Sequence, residues 1–137
     1  NPAGLAGLDD LARGGVRRIA VGNPESVPAG AYAKRALQQK ALWFALASKL
    51  VYYPSVRHVL AALTDRKAEA GFVYRTDAML PEAGVDIVTT IPLSPPVTCV
   101  AARAAASPAD GDAVAFLAFL ASPQARDTLT RFGFTVP

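Results

Sequence analysis

The sequence of 137 residues holds one cysteine and one histidine. A lone Cys99 excludes a disulfide within the chain, and one Cys with one His excludes a structural metal cluster of those ligands. Inside "PPVTCVAAR" the thiol reads as a buried small hydrophobe. The apolar run at 113–121 is too short to cross a bilayer. The opening "NPAGLAGLDDLARGG" has no basic region followed by an apolar one. The expectation is therefore a mature chain, a cytoplasmic one, or a piece of something longer. Dense basic tracts with interleaved aromatics are missing as well, so no nucleic-acid partner is expected.

Catalytic patterns are also lacking. There is no G-x-S-x-G elbow, no phosphate-binding G-x-x-x-x-G-K-[ST] loop and no H-E-x-x-H. His58 has no carboxylate partner in sequence and reads as a surface or boundary residue. The carboxylates Glu25, Asp65, Glu69, Asp77, Glu82 and Asp86 are dispersed. Asp65 and Glu69 stand four apart, interleaved with Arg66 and Lys67, as on a solvated helix face. No residue is expected to be catalytic and none to ligate a metal cation, so an enzyme is not expected.

What is present is a globular composition: 52% hydrophobic, 18% charged, formal net charge +3. The mild positive balance would favour a small anion. Residues 8–15 read as a short amphipathic helix. Strands are expected at 16–22, 49–53, 70–75, 85–92 and 96–103. Helices are expected at 30–40 and 55–68, with shorter helical turns at 42–48 and 76–84. From residue 16 to about 92 the two types alternate, the pattern of a parallel sheet with helices on its faces. Two helices close the chain: Ser107 and Pro108 precede the first, Ser122 and Pro123 start the second, and Gly133 ends it. Residues 113–121, "AVAFLAFLA", carry no polar side chain, so that helix is expected to be buried on several sides.

The helix starting within "VGNPESVPAGAYAKRAL" opens on Ala29, Gly30 and Ala31, nearly bare backbone. Two physical reasons fit. Small residues make a tight turn, or the free amides at the helix start hold an anion. In α/β sheets ligands bind at the carboxyl ends of the strands. The strand at 16–22 leads to Ala29, the strand at 49–53 leads to Ser55 and Val56, and the strand at 70–75 carries Tyr74. Two open helix starts and one phenol are a coherent set for an oxyanion without a formal counter-charge.

These segments resemble the molybdate-binding proteins that serve ABC importers. The resemblance runs through "IAVGNPESVPAGAYAKRAL", "ALWFALASKLVYYPSVRHVLAAL", "AEAGFVYRTDA" and "FLAFLASPQARDTLTRFGF", essentially the whole chain. The spacing agrees, with 27 residues from Ala29 to Val56 and 18 more to Tyr74. It implies one lobe of a type II periplasmic-binding-protein fold: a central, mostly parallel sheet flanked by helices, with C-terminal helices. Residues 1–15 would be an incoming crossover, 16–100 the α/β ligand-binding lobe, and 101–137 helices that pack on a first lobe. The implied ligand is molybdate or tungstate, with no cofactor. Its donors would be the Ala29 amide in the "PAG" turn, the Val56 amide and the Tyr74 hydroxyl, with Pro28, Gly30 and Ser55 in support. The implied partner is the membrane permease of an ABC importer, and the location the periplasm.

The sequence departs from the family in one respect. The family's first lobe, with two serine-bearing loops that complete the ligand shell, lies N-terminal to the stretch seen here. A second-lobe form of this kind is expected to bind weakly, and to associate, with the 113–121 helix exchanged in a homodimer. A binder of sulfate or phosphate, and a non-transporting sensor or interaction module, are the alternatives.

Overall fold

A computed structural model describes residues 1–80, 83–105 and 110–136. The chain divides into two compact units, Asn1–Ser94 and Pro95–Pro137.

The first unit is built on a parallel sheet of order β2-β1-β3. Its strands are β1 (Ile19–Gly22), β2 (Leu50–Tyr53) and β3 (Ala70–Gly71). Ile19 pairs with Leu50 on one side and with Ala70 on the other. All four β1 residues are buried, as a central strand covered on both faces requires. Successive side chains point to opposite faces. Ile19 therefore joins Leu5, Leu11, Val16, Leu37, Trp43 and Leu46, while Ala20 joins Val59, Ala62 and Ala68. Helix α1 (Pro28–Gln39) supplies Leu37 to the first layer, and α2 (Val56–Thr64) supplies Val59 to the second. A helix thus covers each face of the sheet.

Several local expectations change. Residues 8–15 form a 3-10 turn over Leu8–Ala12. The 42–48 segment is a series of turns ending in a 3-10 turn, Ala47–Lys49. The strand expected at 70–75 narrows to Ala70–Gly71, although Phe72 N still donates to Ala20 O at 3.0 Å. The short helix or turn expected at 76–84 is helix α3 (Arg75–Ala78), begun one residue earlier; Pro81 and Glu82 lie outside the described residues. Residues 85–92 and 96–103 are not strands. A strand needs a neighbour for its N–H and C=O groups, and no ladder forms there among the described residues. Cys99 is exposed rather than buried, because no packed strand holds it.

Helix α2 stops at Thr64, where Arg66 takes a φ of +57°. Asp65 and Glu69 therefore do not share a helix face. Asp65 pairs with Lys67 at 2.8 Å. The Glu69 carboxylate instead accepts from the Arg17 and Arg18 amides, at 2.9 and 2.7 Å. It ties the approach to β1 to the approach to β3.

The second unit contains α4 (Asp110–Leu120) and α5 (Pro123–Arg131). Ser107 and Pro108 lie outside the described residues. Ser122 caps α5 through the Ala125 amide at 3.3 Å, and Gly133 follows the helix with a φ of +87°. Burial of α4 is not observed: Phe116 is 59% and Phe119 52% exposed. Within this unit α4 packs against α5, which leaves Val114, Phe116 and Phe119 exposed.

Candidate functional site

The carboxyl ends of β1 and β2 lie level, since Gly22 pairs with Tyr53 and Asn23 N donates to Tyr53 O at 2.8 Å. Beyond β1 the chain turns on Asn23. Its carbonyl accepts from Ser26 and Val27, and its side chain accepts from Glu25 N at 3.0 Å. Pro28 then takes the first position of α1, where its missing N–H costs nothing.

Bare backbone at this helix start has a direct cause. A Cβ on Gly30 would lie 1.9 Å from the Gly22 carbonyl oxygen, so strand end and helix start touch backbone to backbone. The tight-turn explanation therefore holds for Gly30, whose amide is already bonded to Val27 O at 2.9 Å. The Ala29 amide differs. It meets no acceptor among the described residues, although Ala29 is buried. An open donor at a helix N-terminus is the kind of group an anion satisfies.

Two further open amides stand at the start of α2. Ser55 is the N-cap: its Oγ accepts from His58 N, and its carbonyl accepts from Val59 N at 3.1 Å. Val56 and Arg57 donate to no acceptor among the described residues. Neither α1 nor α2 carries an acid in its first turn, so both positive helix ends are uncompensated.

Tyr74 is half-buried and caps α3, its carbonyl accepting from Asp77 N and Ala78 N. Ala29 and Tyr74 line one cavity of about 720 Å³, with Tyr32, Ala33, Phe72 and Val73 in its wall. Val56 is not part of that lining; it stands at the neighbouring strand end. The structure thus brings two of the three expected donors onto one cavity and leaves the third outside its lining. Tyr32 was not foreseen. It lies three residues after Ala29, one helical turn on, and that spacing is the signal that could have found it. The partner of His58 was also missed: Nδ1 lies 2.8 Å from Ser55 Oγ. No group of three His, Cys, Asp or Glu side chains forms a metal site among the described residues.

A parallel sheet with helix starts gathered at its strand ends is a common ligand-binding architecture of α/β proteins. The sequence pattern of the bacterial extracellular solute-binding proteins matches residues 1–135, and the chain belongs to that family. It is 39% identical to the molybdate-binding protein ModA of Escherichia coli (strain K12) over 125 residues, which is 87% of this chain and 46% of that protein. It is 33% identical to the molybdate-binding protein ModA of Haemophilus influenzae over 123 residues, 85% of this chain and 46% of that one. The chain therefore spans about half the length of the curated relatives it matches. Among solved structures, a substrate-binding domain from Clostridium difficile superposes with a TM-score of 0.78 at 29% identity, over 99% of this chain and 60% of that one. The periplasmic molybdate-binding protein of Azotobacter vinelandii superposes with a TM-score of 0.73 at 21% identity, over 98% and 61%, and shares the fold.

Proposed function

We propose that this chain is the second lobe of a periplasmic solute-binding protein for molybdate or tungstate, serving the membrane permease of an ABC importer. In this reading it is a binding component and not an enzyme, with residues 16–100 as the ligand lobe and 101–137 as helices that seat on other chain. The observation that carries it is the open Ala29 amide on the cavity that Tyr74 also lines. The Val56 amide at the next strand end supports it, as does the likeness to the molybdate-binding ModA proteins. Fixed amides and a phenol suit a tetrahedral dianion: the donors are pre-organised, and selection rests on cavity size and donor number. Pro28 and Gly30 hold the first amide in place and Ser55 the second. The remaining donors of a closed shell would come from chain beyond this sequence. The apolar α4 would seat on that same chain, or exchange between two copies.

Calorimetry with molybdate, against sulfate as competitor, tests the reading. Molybdate heat that sulfate does not abolish is the expected result. Tyr74→Phe should then weaken binding by about 1.5–3 kcal/mol, roughly tenfold to a hundredfold in Kd. Equal binding of sulfate would favour a general oxyanion binder instead. Silence from this chain, repeated with a chain of the relatives' full length, would sink the proposal.

A further inference from the structure

Between Glu25 and Asp65 the chain has no acidic residue, while Lys34, Arg35, Lys40, Lys49 and Arg57 are all basic. Within this stretch lies an uncharged loop, residues 41–48, "ALWFALAS", with a lysine on either side. The loop joins the end of α1 to the start of β2, so it sits at the pole opposite the strand ends that carry the candidate donors. Its backbone is tightly self-bonded. Leu42 N donates to Leu37 O at 2.8 Å, Leu46 N to Leu42 O at 2.9 Å and Lys49 N to Leu46 O at 2.8 Å. Leu46 and Trp43 are buried beneath it, which fixes the turn and turns Phe44 outward, 84% exposed. Ala41, Ala45 and Ala47 are exposed around it. Tyr52, 52% exposed, lies against Trp43 with ring centroids 6.5 Å apart, and Lys34 Nζ stands 5.6 Å from the Trp43 ring.

We propose that this loop docks the protein on an anionic phospholipid surface, with Phe44 entering the interface and Lys34 and Lys40 meeting the headgroups. The inference is independent of the oxyanion reading. A rigidly presented aromatic, ringed by alanines and flanked by cations, has the two features such a surface rewards: apolar insertion and charge attraction. It lacks what a specific protein partner would use. Ser48 is the one polar side chain of the loop, and Phe44 is too exposed to belong to a pocket wall. Lys49 is not part of the contact, because its ammonium is spent on the carbonyls of Leu11, Ala12 and Arg13.

The full chain would be sedimented with vesicles of phosphatidylglycerol and phosphatidylcholine, and with vesicles of phosphatidylcholine alone. Trp43, the single tryptophan, reports the depth of the loop through quenching by brominated lipid. The expected result is binding to the anionic vesicles only, reversed by salt, with Trp43 quenched. Phe44→Ser should lower partitioning about tenfold, with the fold retained by circular dichroism. The double change Lys34→Glu, Lys40→Glu should abolish the preference for anionic lipid. The α4 double change Phe116→Ser, Phe119→Ser should leave anionic binding in place. Absent binding, equal binding to neutral vesicles, an unaltered Phe44→Ser, or loss of binding in the α4 variant alone would each overturn the proposal. Association with an acidic protein in place of the vesicles would overturn it too.

Discussion

Gly30 shows how far a single residue can be read without its neighbours. Its smallness at a helix start was visible in the sequence, and so was the choice between a tight turn and an open amide. Deciding between them needed Gly22, whose carbonyl occupies the space of a Gly30 side chain. Gly30→Ala is therefore expected to cost at least about 2 kcal/mol by forcing strand and helix apart, read as a lowered urea midpoint. Glu69 was misread for a related reason. Spacing placed it on a helix face, but the helix ends five residues earlier, and its real partners are amides some 50 positions away in the chain. Those bonds, the Arg18 amide foremost, outweigh partial desolvation and hold its carboxyl below the ordinary 4.5. An acid whose pKa is lower folded than unfolded stabilises the fold above its ordinary value. That support disappears as pH falls through the folded value. Acidification below about pH 4.5 should thus lower the urea midpoint of the wild type. Glu69→Gln should be less stable at neutral pH and lose less on acidification.

At the scale of elements, legibility follows the source of the ordering. α1, α2 and α5 carry their own signals: Pro28 at a first position, Ser55 and Ser122 as caps, Gly133 as a stop. α2 and α5 start within a residue of where the pattern puts them, while α1 starts at Pro28, two residues before the expected Gly30. Strands depend on others. β1 and β2 have each other, whereas 85–92 and 96–103 have the alternation of strands and no ladder among the described residues. The link between the 3-10 turn at Leu8–Ala12 and the start of β2 had no sequence signal at all. It is Lys49, whose ammonium donates to the carbonyls of Leu11, Ala12 and Arg13 at 3.1, 3.0 and 2.8 Å. Lys49→Met keeps the stem and removes the donor. It should destabilise the first unit by about 2 kcal/mol, measured by chemical denaturation.

For the whole molecule, the same contrast sets behaviour in solution. The candidate donors lie in the first unit and were named from local signals, helix starts and strand ends. That α4 needs cover from elsewhere was legible too, since "AVAFLAFLA" has no polar side chain; what covers it was not, because that is a property of the surroundings and not of its own residues. With Val114, Phe116 and Phe119 all more than half exposed, the chain is expected to self-associate in a concentration-dependent way. Sedimentation velocity should show this, and Phe116→Ser with Phe119→Ser should shift the distribution toward monomer.

The strand order β2-β1-β3 also has a kinetic side. No two strands of this sheet are joined by a hairpin. Pairing Ile19 with Leu50 requires the chain to close a loop that contains all of α1, and pairing Ile19 with Ala70 a longer one that adds α2. Of these three strands β1 is made before the other two and ends in the middle of the finished sheet, so it waits for both partners. Such non-local closure slows folding relative to a structure built from neighbouring segments. On the ribosome, Ile19, Ala20 and Val21 emerge before either partner strand and stay unpaired until Tyr53 has cleared the exit tunnel. That interval is when this chain is most open to chaperones and to aggregation.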